Sequence, residues 1–386
     1  MISYLFRSII AMGMQKVNIA IIGGGVIGLS IAASLSKNYS DIYLLEKNRR
    51  MAQEISTHNS GVIHSGIHYP AESLKAKLCV QGNRMIYDLC IQNKMAFKRL
   101  GKLTVALDES ELMILDRLYD NGQRNGVEGM KFLAKEEISK MEPGVEAIEA
   151  LYTPSTGIIE QDDLIQFFYT QAVRRNVVIS QLTEVTEIKF NGSGYELKGK
   201  SVLDNFEFEC KTLINCAGLS SDKIAGMVGI DIDKHGYRLQ YYKGDYFRVT
   251  GPPPVKMLIY PVPNGPGLGI HLTPDMSGSV KLGPNAYPVS NIDYSNGSNV
   301  DDFIRDVSRF VPEIARRRIE YDSSGIRPKL VGSDKGFRDF IINHEADKGF
   351  PGLINLIGIE SPGLTASPAI ADYVSKIYEN EIFSKS

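Results

Sequence analysis

The sequence predicts an α/β fold in which two domains are interleaved, one with helices on a mainly parallel sheet and one built on a mixed or antiparallel sheet. Three observations predict it. A strand–glycine–helix–strand unit opens the chain at residues 17–47, a strand–glycine–helix unit closes it at 352–382, and short runs divided by Gly and Pro fill 237–283. A single continuous N-terminal domain would not show the pattern at both ends. At 386 residues, the chain has room for two domains or one large domain with an insertion.

The first element is the strongest. "VNIAIIGGGVIGLSIAASLSKNYSDIYLLEK" begins with a continuous apolar run, as a buried parallel strand should. Gly23-x-Gly25-x-x-Gly28 follows, then a helical pattern and a second apolar strand ending at Glu46. Glycines there allow a tight turn, close approach of a pyrophosphate and close helix–strand packing, while the helix N-terminus presents free N–H groups. Glu46 stands where a carboxylate can bind a ribose 2′-hydroxyl and would repel a 2′-phosphate, which argues against NADP. The ordered unit reads as a Rossmann-like dinucleotide site. These residues alone do not choose between FAD and NAD.

Further along, "LIQFFYTQAVRRN" (164–176) reads as a helix, followed by strand-like "VVIS", "TEVTEIKF", "GYELKGKS" and "NFEFECKTLINCAG". From 237 come "YRLQYYKGDYFRV", "LIYPVP", "GLGIHLTP" and "SVKLG", an expected antiparallel sheet. Residues 301–318 read as a helix ending in Arg316–Arg318, a solvated face or at most a membrane-surface contact. In "GLINLIGIESPGLTASPAIADYVSKIYENEI", Pro368 fits a first helical turn with Ser367 as N-cap.

Composition narrows the function. A net charge of −2 offers no field for nucleic acid. Cys79, Cys90, Cys210 and Cys216 form neither CxxC spacing nor a disulfide framework, and read as reduced core residues in the cytoplasm. No apolar run reaches the ~18 residues of a membrane span. The opening "MISYLFRSIIAMGMQ" lacks a convincing cleavage site and reads as an upstream start ahead of Met12 or Met14. Residues 1–16 are therefore taken as an extension outside the fold.

"HNSGVIHSGIHY" (58–69) holds three of the six histidines. His64 and His68 have the i, i+4 spacing of helical metal ligands, but Gly61, Gly66 and Pro70 argue against a helix, and no further ligand pattern completes a metal site. His64 is the first choice as catalytic base, with His271 in "GIHLTP" as its rival. His58 and His68 read as structural, and His235 and His344 as surface residues.

The chain resembles the D-amino-acid-oxidase-like FAD oxidoreductases, and within them the L-2-hydroxyglutarate dehydrogenase/oxidase branch. The similarity rests on "HNSGVIHSGIHYPAESLKAKLC", "LINCAGLSS", "YDSSGIRPKL" and "NLIGIESPGLTASPAIA", and with the glycine motif spans roughly residues 17–380. It implies an FAD-binding Rossmann-like domain of the glutathione-reductase-like, D-amino-acid-oxidase type from 17–92, 151–225 and 320–382. A substrate domain is implied from 93–150 and 226–319. The resemblance also implies that FAD is held by Gly23, Gly25, Gly28, Glu46 and Lys47, by Asn59, Ser60 and Gly61, and by Val185, Ala217 and Gly218. Gly358, Ser361, Gly363, Leu364 and Thr365 would complete that cradle.

Arg327 matches a carboxylate-binding arginine, whose planar guanidinium suits two parallel hydrogen bonds, or it makes an interdomain salt bridge. Tyr241, Lys243 and Tyr246 either line the substrate site, Lys243 meeting a second carboxylate, or pack the sheet. The implied reaction takes an L-2-hydroxy acid to its 2-oxo acid by hydride transfer to flavin N5, with L-2-hydroxyglutarate the best single substrate. The alternatives are oxidation of an amino acid and flavin binding without catalysis. The electron acceptor is left open among a quinone, a protein carrier and oxygen.

Overall fold

The computed structural model describes residues 15–202, 204–263, 269–332 and 336–385. Most of the expected N-terminal extension and the first residues of "GLGIHLTP" thus lie outside the described residues.

Among the described residues, the first sheet has eight strands. Gln15–Ile22 lies at its centre, parallel to Ile42–Leu45 on one side and to Asn205–Asn215 on the other. The strand begins at Gln15, within the segment expected to lie outside the fold. Ile42–Leu45 continues to Val178–Ser180. Asn205–Asn215 pairs antiparallel with Tyr195–Lys200 along its first half and parallel with Leu353–Ile357 at its end. Parallel strands are covered on both faces and need apolar side chains on each. Accordingly, Ile19 and Ile21 join one core with Leu29, Phe168 and Ile370, while Val17, Ala20 and Ile22 join another with Tyr195, Leu213 and Ile224.

Among the described residues, four helices gather on the first of these cores: Val26–Leu35, Leu74–Asn93, Gln161–Arg174 and Gly363–Ile377. Their closeness depends on small residues. A Cβ added at Gly82 would lie 2.2 Å from the Thr365 carbonyl oxygen, and Ser30 donates to the Ser367 carbonyl at 3.1 Å. The C-terminal helix begins at Gly363, not after Ser367, so Pro368 lies inside it and Ser367 is no cap. The Ala366 N–H, bonded to the Pro362 carbonyl at 2.9 Å, starts the helix a turn earlier than the proline suggests.

Among the described residues, the second sheet has nine strands. Leu239–Val249 pairs antiparallel with Ile319–Leu330 along its whole length, and Lys102–Ala106 joins Leu258–Pro261 to Glu149–Thr153. Residues 320–330 therefore run in this sheet, although the sequence assigns them to the first domain. A long ladder of hydrogen bonds outweighs their nearness in sequence to the C-terminal unit. The expected helix 301–318 is two pieces, Val300–Ser308 and the 3₁₀ turn Pro312–Arg316, because Pro312 cannot donate a helical hydrogen bond. No helix among the described residues is long and apolar enough to cross a membrane.

Candidate active site

A cavity of about 1350 Å³ runs from the glycine turn after the central strand to the face of the second sheet. Its two ends differ in chemistry.

At the first end the chain turns through Gly23 at φ +107°, where an added Cβ would meet the Cys216 carbonyl oxygen at 2.3 Å. Gly28 packs behind, its absent Cβ only 2.0 Å from the Gly23 carbonyl oxygen. Gly25 is the N-cap of Val26–Leu35 and has no side chain to cover the first amides. Glu46 is buried and accepts from the N–H groups of Gly24 (2.8 Å) and Asn48 (2.7 Å). Burial raises its pKa, although those two amides oppose the shift. Gly23, Gly25, Glu46, Lys47, Val185, Ala217 and Gly218 all line the cavity. A glycine cradle, a helix N-terminus whose N-cap is glycine and whose Val26 N–H donates to Ser56 Oγ at 3.0 Å, and a carboxylate one strand away fit a dinucleotide.

The middle wall comes from the histidine segment and the C-terminal turn. Asn59, Ser60, Ser361, Gly363 and Leu364 line it, whereas four expected residues stand behind it. Gly28 is one. Gly61, at φ +64°, lets the backbone pass the Ile159 carbonyl, where a Cβ would come within 2.7 Å. Gly358, at φ +70°, packs against Leu330. Thr365 Oγ1 accepts from the His64 N–H at 3.0 Å and donates to the Val62 carbonyl at 3.1 Å, tying the two segments together.

The far end gathers the polar chemistry. His64 Nε2 lies 3.3 Å from Ser361 Oγ, and Asn83 donates to the His64 carbonyl at 2.9 Å. Burial, with repulsion from Lys102 and Arg327, pushes the His64 pKa down to about 3, so the imidazole is neutral. His271 also faces the cavity and stacks on Tyr260 with ring centroids 3.4 Å apart. Arg327 projects from Ile319–Leu330 opposite Tyr242, and no carboxylate among the described residues forms a salt bridge with it. The site thus offers a neutral proton acceptor beside a guanidinium ready for an anion.

Strand parity corrects two expectations. Tyr242, Gly244 and Tyr246 face the cavity. Tyr241 and Lys243 leave the opposite side. The Tyr241 hydroxyl donates to the Leu219 carbonyl at 2.9 Å. Buried Lys243 donates to the Ser295 carbonyl and lies 3.8 Å from Asp293, so it is not placed to meet a substrate carboxylate.

Three features escape sequence reading. Lys102 is fully buried on its strand, with Nζ 3.1 Å from His68 Nε2, and burial lowers its pKa to about 7. His68 therefore belongs to the site's electrostatics, not to loop structure alone. Tyr260, stacked on His271, closes the same end. Lys75, Glu360 and Lys329 form an ion-pair group on the wall. The one available signal was a lysine opening the otherwise apolar run "KLTVAL".

Comparison with known proteins accords with this geometry. The family model described as FAD dependent oxidoreductase (DAO) matches residues 18–377. The mitochondrial L-2-hydroxyglutarate dehydrogenase of Arabidopsis thaliana is 32% identical over 94% of this chain and 83% of its own. A glycerol 3-phosphate dehydrogenase of Caloramator mitchellensis is 34% identical over 94% of this chain and 74% of its own. Among solved structures, the dithionite-reduced, FAD-bound L-alpha-glycerophosphate oxidase of Mycoplasma pneumoniae superposes with a TM-score of 0.83 at 27% identity, covering 95% of each chain. The family expected from the four quoted segments is the one found, and FAD is the dinucleotide that the cradle fits. The chain belongs to the DAO family of FAD-dependent oxidoreductases.

Proposed function

We propose that the protein oxidises an L-2-hydroxy acid to its 2-oxo acid, with L-2-hydroxyglutarate and 2-oxoglutarate as the preferred pair. The observation that carries this reading is Arg327, without a salt-bridge partner among the described residues, facing one cavity with a neutral His64. Relatives named L-2-hydroxyglutarate dehydrogenase, 32% and 31% identical, supply the substrate class.

Arg327 binds the substrate C1 carboxylate through two parallel hydrogen bonds and fixes the orientation of Cα. The Arg327 charge is one of the causes that keep His64 unprotonated. A carboxylate on Arg327 offsets that repulsion, so substrate binding raises the basicity of the imidazole where a hydroxyl proton must be taken. His271, stacked on Tyr260, is the rival residue for this role. The cradle from Gly23 to Leu364 would hold FAD, which would supply the acceptor for the Cα hydride. The helix Gly363–Ile377 begins on the cavity wall with no side-chain cap, and a helix N-terminus favours negative charge near it.

The test is an anaerobic screen of the holoenzyme for loss of visible flavin absorbance. L-2-hydroxyglutarate is expected to bleach it; bleaching only by amino acids would sink the reading. Glycerol 3-phosphate belongs in the screen, because the Caloramator mitchellensis and Mycoplasma pneumoniae proteins favour it as the second reading. The reoxidant is a quinone, a protein carrier or oxygen. Four free, buried cysteines are consistent with a reducing compartment.

A further inference from the structure

Lys329 stands two residues beyond Arg327 on Ile319–Leu330, so both side chains leave the same face, and both line the cavity. Residues two apart on a strand are separated by about 6.6 Å. The carboxyl carbons of an extended five-carbon diacid, four C–C bonds apart, are separated by roughly 5 Å. A guanidinium and an ammonium on this strand face are therefore spaced for the two ends of such a molecule.

The surroundings prepare Lys329 for an anion. Glu360 accepts from Lys75 at 2.9 Å and lies 3.7 Å from Lys329. Two ammonium groups share one carboxylate, and the shorter contact belongs to Lys75. Lys329 keeps attraction to spare. Aromatic faces shield both cations: Lys329 Nζ lies 5.6 Å from the Tyr242 ring centroid and Lys75 Nζ 5.5 Å from that of Phe337. Charges held away from bulk water act more strongly on a bound ion.

We propose that Lys329, with Lys75 and Glu360 behind it, forms a subsite for a second anionic group at the end of the substrate remote from the oxidised carbon. The proposal rests on the hydroxy-acid reading above and deepens it. A distal carboxylate and a phosphate share the required chemistry.

The experiment compares L-2-hydroxyglutarate with L-2-hydroxypentanoate, which carries a methyl group in place of the distal carboxylate. Wild-type holoenzyme is expected to favour the diacid by ~10²-fold in kcat/KM, and Lys329→Gln to cut that ratio by ~10-fold. A ratio is unaffected by partial loss of folded enzyme. Calorimetric titration with glutarate and pentanoate gives the same comparison without turnover. A wild-type ratio near one, or a ratio unchanged in Lys329→Gln, overturns the subsite while leaving the hydroxy-acid reading standing. Preference for glycerol 3-phosphate over glycerol, lost in Lys329→Gln, supports the subsite with phosphate as its guest. Failure of every 2-hydroxy acid and of glycerol 3-phosphate to bleach the flavin overturns both proposals.

Discussion

Lys102 holds its ammonium nitrogen 3.1 Å from Nε2 of His68, and burial has brought its pKa to about 7. An ammonium only donates, so Nε2 accepts and the neutral ring carries its proton on Nδ1. That buried nitrogen has no hydrogen-bond partner among the described residues. Below about pH 7, Lys102 is charged and adds a cation behind the anion site; above it, the charge is lost. We expect the KM for an anionic acid to rise several-fold as pH rises through that value, the binding effect being separate from the relief of repulsion on His64. Lys102→Met should remove this limb, and a pH profile of KM showing it intact in the variant would reassign it.

His64→Ala should retain flavin and slow its reduction by ~10²–10⁴. Anaerobic stopped-flow absorbance measures the step directly. Reduction at the wild-type rate would move the base function to His271.

Arg327→Lys preserves charge but removes the planar fork. A loss of ~10-fold or more in kcat/KM is expected, while the flavin content of the purified protein stays near one per chain. Parallel loss of both would make Arg327 a structural residue.

Gly82→Ala pits two effects against each other. Helix propensity favours alanine by ~1 kcal/mol. The new Cβ would lie 2.2 Å from the Thr365 carbonyl oxygen and 2.8 Å from Ala366 Cα, and such overpacking typically costs ~1–3 kcal/mol. Both obstacles are backbone, so overpacking wins and Tm should fall. Because Thr365 also holds the His64 amide, flavin reduction should slow as well.

Local order made the first end of the site legible. Gly23, Gly25, Gly28 and Glu46 follow one another within a single strand–turn–helix–strand unit, so their arrangement is written along the chain. The far end is assembled from separate segments. Lys102, His68, Tyr260 and Arg327 meet only when strands distant in sequence pair. Parity was the second obstacle: "YYKGDYF" shows which residues alternate, not which set faces inward. Of the expected Tyr241, Lys243 and Tyr246, only Tyr246 therefore lines the cavity, together with the unexpected Tyr242. At the C-terminal helix, Pro368 suggested a first turn, but packing against Val26–Leu35 through Ser30 and Ser367 accommodates it inside.

The pairing of Leu353–Ile357 with the end of Asn205–Asn215 has a consequence for biosynthesis. The glycines proposed to receive the pyrophosphate emerge early from the ribosome, but the opposing wall at Ser361–Leu364 is translated more than 300 residues later. A nascent chain can form the central strand and its first helix while half of the cofactor's enclosure does not yet exist. Tight retention of FAD must therefore wait until translation has passed that wall, which leaves the unfinished protein dependent on holding its apolar faces out of contact with other chains.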